Sequence, residues 1–253
     1  MVGKRILVTG ASSGIGAATA TLLASNGWQV VAAARRIDRL RALAAETDGI
    51  EPFKLDITND DDVAKLTDHL TQTGGISALV NNAGGAFGLD PIAESKLGDW
   101  QHMYDINVLG TLRVTKALLP LLEQTAHTTG NPSDIVFITS TAALAPYVGG
   151  AGYVAAKHAE RMLATTLRWE LIGKPIRVIQ IEPGAVDTAE FSLNRFDGDQ
   201  AKADAVYAGY TPLVAVDIAD SINWALTRPA HVNIDHITIR PVAQVNNWQI
   251  ARS

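Results

Sequence analysis

Tyr153 and Lys157 stand four residues apart in YVAAK, within a stretch rich in helix formers, and Ser140 precedes the tyrosine by thirteen residues. On a helix, positions i and i+4 share a face, so the Lys157 ammonium can lie beneath the phenol. A tyrosine has a reference pKa of about 10; a neighbouring cation favours its phenolate, each pH unit corresponding to about 1.36 kcal/mol. The pairing brings the phenol toward the range where general acid–base catalysis is efficient. Ser140 ends an apolar run and can donate to a carbonyl oxygen as negative charge develops there. Taken alone, the tyrosine–lysine spacing equally describes an exposed helical contact, and the rest of the chain decides between the two.

A second constellation lies at the N-terminal end. TGASSGIG at 9–16 follows the apolar run RILVTG and opens an alanine-rich helical segment. Gly10 suits the sharp turn, while Gly14 and Gly16 leave room for a pyrophosphate against unpaired N–H groups at a helix N-terminus. Ser12 and Ser13 add hydroxyl donors, and Ile15 sits between the last two glycines. A ligand-free tight turn is the alternative, but the strand–turn–helix setting favours a dinucleotide site. About 20 positions further on, such a site carries an acidic residue for a ribose hydroxyl or an arginine for a 2'-phosphate. Here the stretch reads AAARR. Arg35 and Arg36 offer planar, permanently charged donors suited to phosphate; Arg36 reads more readily than Arg35 as a solvated charge, with Asp38 capping the next helix. The expected cofactor is NADP(H).

Those residues need a frame. Short runs rich in Val, Ile and Leu recur at 5–10, 29–34, 76–84, 134–140, 176–184 and 236–242, and read as strands buried on both faces. IEPFKLDIT at 50–58 adds a further strand despite Pro52. Segments with helical spacing fall between them, at 15–26, 38–47, 60–72, 98–125, 153–172 and 217–227. The alternation predicts an α/β fold: one domain over 1–253, a parallel sheet with helices on both faces. Residues 188–211 break the alternation after a Pro-Gly, and read either as a substrate lid or as an irregular insertion.

Composition narrows the function classes. The 253 residues are 47% hydrophobic and 19% charged, with a net charge of -5. No block of clustered Lys and Arg offers a footprint for nucleic acid. The chain has no cysteine, which removes disulfides, thiolate metal ligands and cysteine nucleophiles and fits a reducing cytoplasm. No metal site is expected. The apolar run after Lys4 is too short for a signal-peptide core, and stretches such as ALLPLL fall far short of a membrane span.

TGASSGIG, NNAG at 81–84, Asn107 in DINVLGT, Ser140, YVAAK and PGAVDT at 183–188 occur in an order and spacing that resembles the short-chain dehydrogenase/reductase family over nearly the whole chain. The resemblance implies a Rossmann-type, doubly wound domain with a seven-stranded sheet, assembled as a homotetramer or homodimer. It implies that Tyr153 transfers the proton, Ser140 orients the carbonyl, Lys157 binds the nicotinamide ribose and lowers the tyrosine pKa, and Asn107 holds a relay water. By the same carry-over Asp56 and Ile57 flank the adenine, Asn82, Ala83 and Gly84 line the cofactor cleft, and Pro183, Gly184, Val186 and Thr188 meet the nicotinamide. Ala143 departs from the family pattern, where many members have glycine after the catalytic serine. The later segments look similar to an NADP-dependent subgroup acting on small 3-hydroxy acids such as serine, allo-threonine and 3-hydroxypropionate, and share wording with a reductase of the antibiotic precursor clavaldehyde. For such a substrate Arg195 is the candidate carboxylate partner or a solvated loop charge, and Tyr147 and Phe191 either wall the pocket or pack the lid. A non-catalytic NADP(H)-binding regulator is a further alternative, set against the presence of all four catalytic side chains.

Overall fold

Alternation of apolar residues along each central strand sends side chains to two different layers. The computed structural model describes residues 4–188, 190–196 and 198–253; Met1, Val2 and Gly3, and Ala189 and Asp197 of the 188–211 segment, lie outside the described residues. The strands are β1 (Arg5–Thr9), β2 (Gln29–Ala34), β3 (Ile50–Lys54), β4 (Ala78–Asn81), β5 (Ser133–Ile138), β6 (Ile176–Pro183), β7 (Val186–Asp187), β8 (Leu213–Val214) and β9 (His236–Ile239). The helices are α1 (Gly14–Ser25), α2 (Ile37–Glu46), α3 (Asp60–Gln72), α4 (Leu97–Tyr104), α5 (Thr111–Thr129), α6 (Ala151–Glu170), α7 (Phe191–Arg195), α8 (Gln200–Ala205) and α9 (Ala215–Leu226).

Among the described residues seven strands form one sheet in the order β3-β2-β1-β4-β5-β6-β9, every neighbouring pair parallel. Ile6, Val8, Val30, Ala32, Val136 and Ile138 pack under α1 and α9, against Leu23, Ile218 and Ile222. Their chain neighbours Leu7, Val31, Ala33, Ile135 and Phe137 face the other layer, against Leu66 of α3 and Val114, Leu118 and Leu122 of α5. This is the period of two expected of strands covered on both sides. Each fully buried Leu, Ile or Phe is worth about 1.5–3 kcal/mol, whereas an exposed ion pair is worth about 0–1 kcal/mol. The two apolar layers therefore hold the sheet.

Pro52 is compatible with β3 because β3 is an edge strand. Leu55 N–H donates to Ala34 O and Val30 N–H to Gly49 O. The odd-numbered residues thus turn their main-chain groups toward β2, and the Pro52 nitrogen faces away from the ladder. The single helix expected over 98–125 is instead α4, a π-helical turn at Asp105–Gly110, and α5. α5 runs on to Thr129, where Gly130 at φ 69° closes it in the left-handed conformation.

The 188–211 segment contains α7 and α8. Its base is closed by the parallel β7–β8 pair, with Val186 opposite Leu213. Tyr207 Oη donates to Val186 O at 2.8 Å and lies 2.9 Å from Ser192 Oγ. The C-terminal tail crosses the same region: the Arg252 guanidinium reaches the Val206 and Ala208 carbonyls, and Ser253 N–H reaches Gly209 O at 2.8 Å. No helix among the described residues is long and apolar enough to cross a membrane.

At the amino ends of the strands, Arg177 of β6 forms a bidentate pair with Asp134 of β5, at 2.6 and 2.9 Å, with both side chains buried. Its remaining donors reach the carbonyls of Leu226, Arg228 and Val232, so one guanidinium ties the end of α9 to the sheet. Removing one member of such a pair leaves a buried charge alone. Arg177→Met is expected to lower unfolding stability by about 3–5 kcal/mol in urea titrations, while Arg41→Met, in the exposed pair with Asp38, leaves the midpoint unmoved.

Candidate active site

The carboxyl ends of β1 and β4 are tied together. Thr9 Oγ1 accepts from the N–H groups of Asn82 (3.0 Å) and Ala83 (3.1 Å), and Asn82 Nδ2 donates to Thr9 O at 2.9 Å. Gly10, at φ 66°, turns the chain so close to β4 that a Cβ there would lie 2.8 Å from Ala83 Cα. A Cβ on Gly16 would collide with Gly10 O and Asn82 Nδ2. Gly14, at φ 53°, lies against Thr188, whose Cβ would be 3.4 Å from a Cβ at that glycine. The turn thus brings bare backbone to the start of α1, where N–H groups and the helix dipole favour an anion.

Ser13 takes the N-cap position of α1 in extended conformation without a side-chain cap bond. Its hydroxyl donates instead to Glu190 Oε2 at 2.9 Å. Arg36 forks onto the same carboxylate, Nη1 to Oε1 and Nη2 to Oε2 at 2.7 Å each, and reaches Ser12 Oγ at 2.9 Å and Ser13 Oγ at 3.1 Å. Arg39 adds a third cationic contact to Glu190. The guanidinium hydrogen bonds of Arg36 draw the Glu190 carboxyl down to about 2, and the carboxylate raises Arg36 in turn. Arg35 is exposed and lies near Asp56. Burial works to raise the Asp56 carboxyl, but hydrogen bonds from Thr58 N–H and Oγ1, at 2.9 and 2.7 Å, outweigh it and leave it below the usual carboxylate range. It is thus Arg36, rather than Arg35, that hydrogen-bonds the glycine turn.

On the far side of the crevice, β5 ends at Ile138 and Ser140 follows in extended backbone. Ser140 Oγ accepts from Ala142 N–H at 3.0 Å, which leaves its own hydrogen to be donated. Tyr153 lies in the first turn of α6, buried, with Phe191 of α7 edge-on at 5.7 Å between centroids. Lys157 is one turn further on, its Nζ 5.9 Å from the Tyr153 ring centroid. That ammonium donates to Ile138 O at 3.0 Å and to Glu160 Oε2 at 2.6 Å. Burial opposes the Lys157 charge, yet the adjacent Glu160 carboxylate prevails and raises the ammonium above its ordinary value. Burial likewise raises the Glu160 carboxyl.

Asn107 is fully buried in the π-helical turn. Its amide nitrogen donates to Met103 O (2.7 Å) and Gly85 O (2.9 Å), and its oxygen accepts from Gly85 N–H (3.2 Å). The side chain is therefore spent on holding the β4 loop. Tyr147 is largely buried, which raises its phenol, and its oxygen accepts from Arg195 Nη2 at 2.7 Å. Arg195 also points Nε at Gly88 O, at 3.4 Å.

One cleft of about 690 Å³ joins these groups. The turn residues Gly10, Ser12, Ser13, Gly14 and Ile15 line it, as do Arg35, Arg36, Asp56, Ile57, Asn82, Ala83 and Gly84. So do Ser140, Tyr147, Tyr153, Lys157, Pro183, Gly184, Val186, Thr188, Phe191 and Arg195. Of the residues singled out from sequence, Gly16 and Asn107 stand behind the wall: Gly16 packs on Gly10 and Asn82, and Asn107 on Gly85. Sequence reasoning missed Glu160, Glu190, Arg39 and Gln244, whose Oε1 accepts from Ala185 N–H at 2.9 Å. Glu160 had a signal, three residues beyond Lys157 on one helix face. Glu190 and Gln244 had none, since long chain reversals bring them to the cleft.

A family model described as short chain dehydrogenase matches residues 4–196. An oxidoreductase of Mycobacterium tuberculosis, uncharacterized by its own name, is 55% identical over 244 residues, covering 96% of this chain and 93% of that one. Serine 3-dehydrogenase of Agrobacterium fabrum is 41% identical over 241 residues, 94% of each chain. Among solved structures, the closed form of serine dehydrogenase complexed with NADP+ matches with a TM-score of 0.91 at 36% identity, over 98% of this chain and 99% of that one.

The close approach at the turn sets a stability expectation. Gly16→Ala forces backbone and Asn82 to move and is expected to cost roughly 1–3 kcal/mol as an overpacked site. Gly98→Ala in α4, where a Cβ meets open space, leaves stability equal or raises it; chemical denaturation of the two variants distinguishes them.

Proposed function

Because the chain belongs to the short-chain dehydrogenase family, we propose that it is an NADP(H)-dependent oxidoreductase interconverting a hydroxyl and a carbonyl on a small 3-hydroxy acid or its semialdehyde. The observation that carries this reading is the meeting of Ser140, Tyr153 and Lys157 in one cleft with the glycine turn and Arg36. Its residues suit NADP(H): the turn's Cβ positions at Gly10 and Gly16 are closed by neighbouring atoms, and Arg36, Arg39 and Ser13 already hold a carboxylate, an anion of phosphate-like hydrogen-bonding demand. Gly10, Ser12, Ser13, Gly14, Ile15 and Gly16 form the pyrophosphate turn, Arg36 with Arg35 the 2'-phosphate end, and Asp56 and Ile57 the adenine flank. Asn82, Ala83 and Gly84 line the middle, Lys157 takes the nicotinamide ribose, and Pro183, Gly184, Val186 and Thr188 take the nicotinamide. When bound, the cofactor supplies or takes up the hydride.

The chain's own residues manage the oxygen. Tyr153 transfers the proton to or from the substrate oxygen, and its hydroxyl makes no hydrogen bond to another described residue. Ser140 donates its free hydrogen to the same oxygen, stabilising charge as it develops. Asn107, its side-chain amide committed to Gly85 and Met103, contributes to a water relay at this end of the cleft. Arg195, held by Tyr147 and Gly88, retains guanidinium donors for the substrate carboxylate, and Phe191 and Tyr147 wall the pocket beneath a lid formed by 188–211. Relatives bearing the name serine 3-dehydrogenase support the substrate class. Tyr104, Leu109, Leu112, Met162 and Trp169, exposed on α4, the π turn, α5 and α6, fit burial in a homotetramer or homodimer.

Loss of a positioned acid–base group removes about 10²–10⁴ of rate. Tyr153→Phe is therefore expected to lose at least about 100-fold in turnover while binding NADPH as the parent does. A panel of 3-hydroxy acids and uncharged alcohols, followed at the NADPH absorbance, is expected to favour the carboxylate-bearing members and NADPH over NADH. Retained turnover in Tyr153→Phe, or a preference for NADH, overturns the reading.

A further inference from the structure

Glu160 is a carboxylate with no assigned role, buried in the catalytic helix. Its side chain is 1% exposed, that of Lys157 5%, and 2.6 Å separates Nζ from Oε2. Thr111 Oγ1 of α5 lies 3.5 Å from Glu160 Oε1, and β5 supplies the Ile138 carbonyl to Nζ. Among the described residues Tyr153, on α6 itself, is the further ionisable group that acts on this pair; Tyr153 in turn neighbours Tyr147 of the preceding loop, which Arg195 of α7 hydrogen-bonds.

We propose that Glu160 is a positioning residue for proton transfer: it fixes the Lys157 ammonium at the end of β5 and keeps it charged where burial would otherwise neutralise it. Nζ is anchored between Glu160 Oε2 and Ile138 O, one helical turn from Tyr153, and a desolvated ammonium without such a partner gives up its proton. The role rests on Tyr153 as the proton-transfer group.

The pH profiles of turnover of the parent and of Glu160→Gln read the role directly. The variant is expected to lose activity on the alkaline side about one pH unit earlier, tenfold in the proton affinity of Lys157, and Glu160→Asp, which keeps the carboxylate, to recover part of that range. An alkaline limb unchanged in Glu160→Gln overturns the role of Glu160. Turnover surviving in Tyr153→Phe overturns instead the functional reading, so the two failures are separable.

A different observation carries a second inference. We infer that Glu190 is a resident anion that competes with the cofactor 2'-phosphate for Arg36. Its carboxylate takes both forks of that guanidinium, the Ser13 hydroxyl and Arg39, and it lies one residue before α7. Cofactor entry must separate Glu190 from this donor set, which links occupancy to the position of α7, bearer of Phe191 and Arg195. The apparent affinity of a site that is mostly occupied from within is reduced to the fraction left free. In titration calorimetry, Glu190→Gln is expected to bind NADP+ about tenfold more tightly and NAD+, lacking the phosphate, with little change. Equal or weaker NADP+ binding by the variant overturns the inference, whereas a parent that binds no NADP+ overturns the cofactor reading itself.

Discussion

β1 and β4 lie side by side, and the chain leaves them over opposite faces of the sheet. After β1 it crosses through α1, packed in the layer of Ile6, Val8 and Leu23; after β4 it crosses through α5, whose Val114 and Leu118 pack in the layer of Leu7 and Leu79. Right-handed crossovers make this divergence unavoidable once the strand order reverses at β1. The divergence opens a crevice at the carboxyl ends between the two helical layers. Everything with chemistry in it stands on the rim of that crevice. Thr9 and Asn82 stitch the two strand ends together across it, and the glycines are confined to the one place where the stitched backbones approach too closely for a side chain.

Two buried ion pairs divide the sheet between structure and chemistry. Asp134 and Arg177 lie at the amino ends of β5 and β6, where the guanidinium also closes α9. Lys157 and Glu160 lie at the carboxyl end of β5, where the ammonium also takes the Ile138 carbonyl. Both pairs satisfy main-chain carbonyls that would otherwise be buried without donors. They differ in what faces them: chain carbonyls in the first case, a phenol with an uncommitted hydroxyl in the second. The same physics of a desolvated charge that needs a partner operates at both ends of β5.

The α7–α8 side of the crevice is of another kind. α7 and α8 are too short to be stable by themselves, and their places depend on contacts from outside the segment. Tyr207 is bonded to Val186, Arg252 and Ser253 come from the C-terminal tail, and Glu190 is bonded to Arg36 of the second βα unit. These contacts are polar and half-buried or exposed, unlike the apolar layers beneath the sheet. A cover held by such bonds can exchange partners at small cost, while the sheet below cannot.

Period-two apolar runs and alanine-rich helical segments were enough to read the order of strands and helices from sequence, because strands buried on both faces and helices between them leave unambiguous patterns. Pro52 was legible as a weakness and proved to mark an edge strand. Glycine turn, serine, tyrosine and lysine were legible for a related reason: each depends on local backbone or on spacing along one helix. The π turn around Asn107 was not, since it arises where Gly110 packs against Ile57 and the Asn107 amide binds the β4 loop, both long-range contacts. Nor was the choice between Arg35 and Arg36, adjacent residues with the same charge, separated only by which one the β2 end turns toward Ser12. By itself, the sequence determined the parallel sheet and the spacing that sets Tyr153 and Lys157 on one face of α6. Only the tertiary structure decided that Glu160 pairs with Lys157 and that Glu190 sits in the arginine fork, because burial and long chain reversals, which no local pattern encodes, set the partners of those charges.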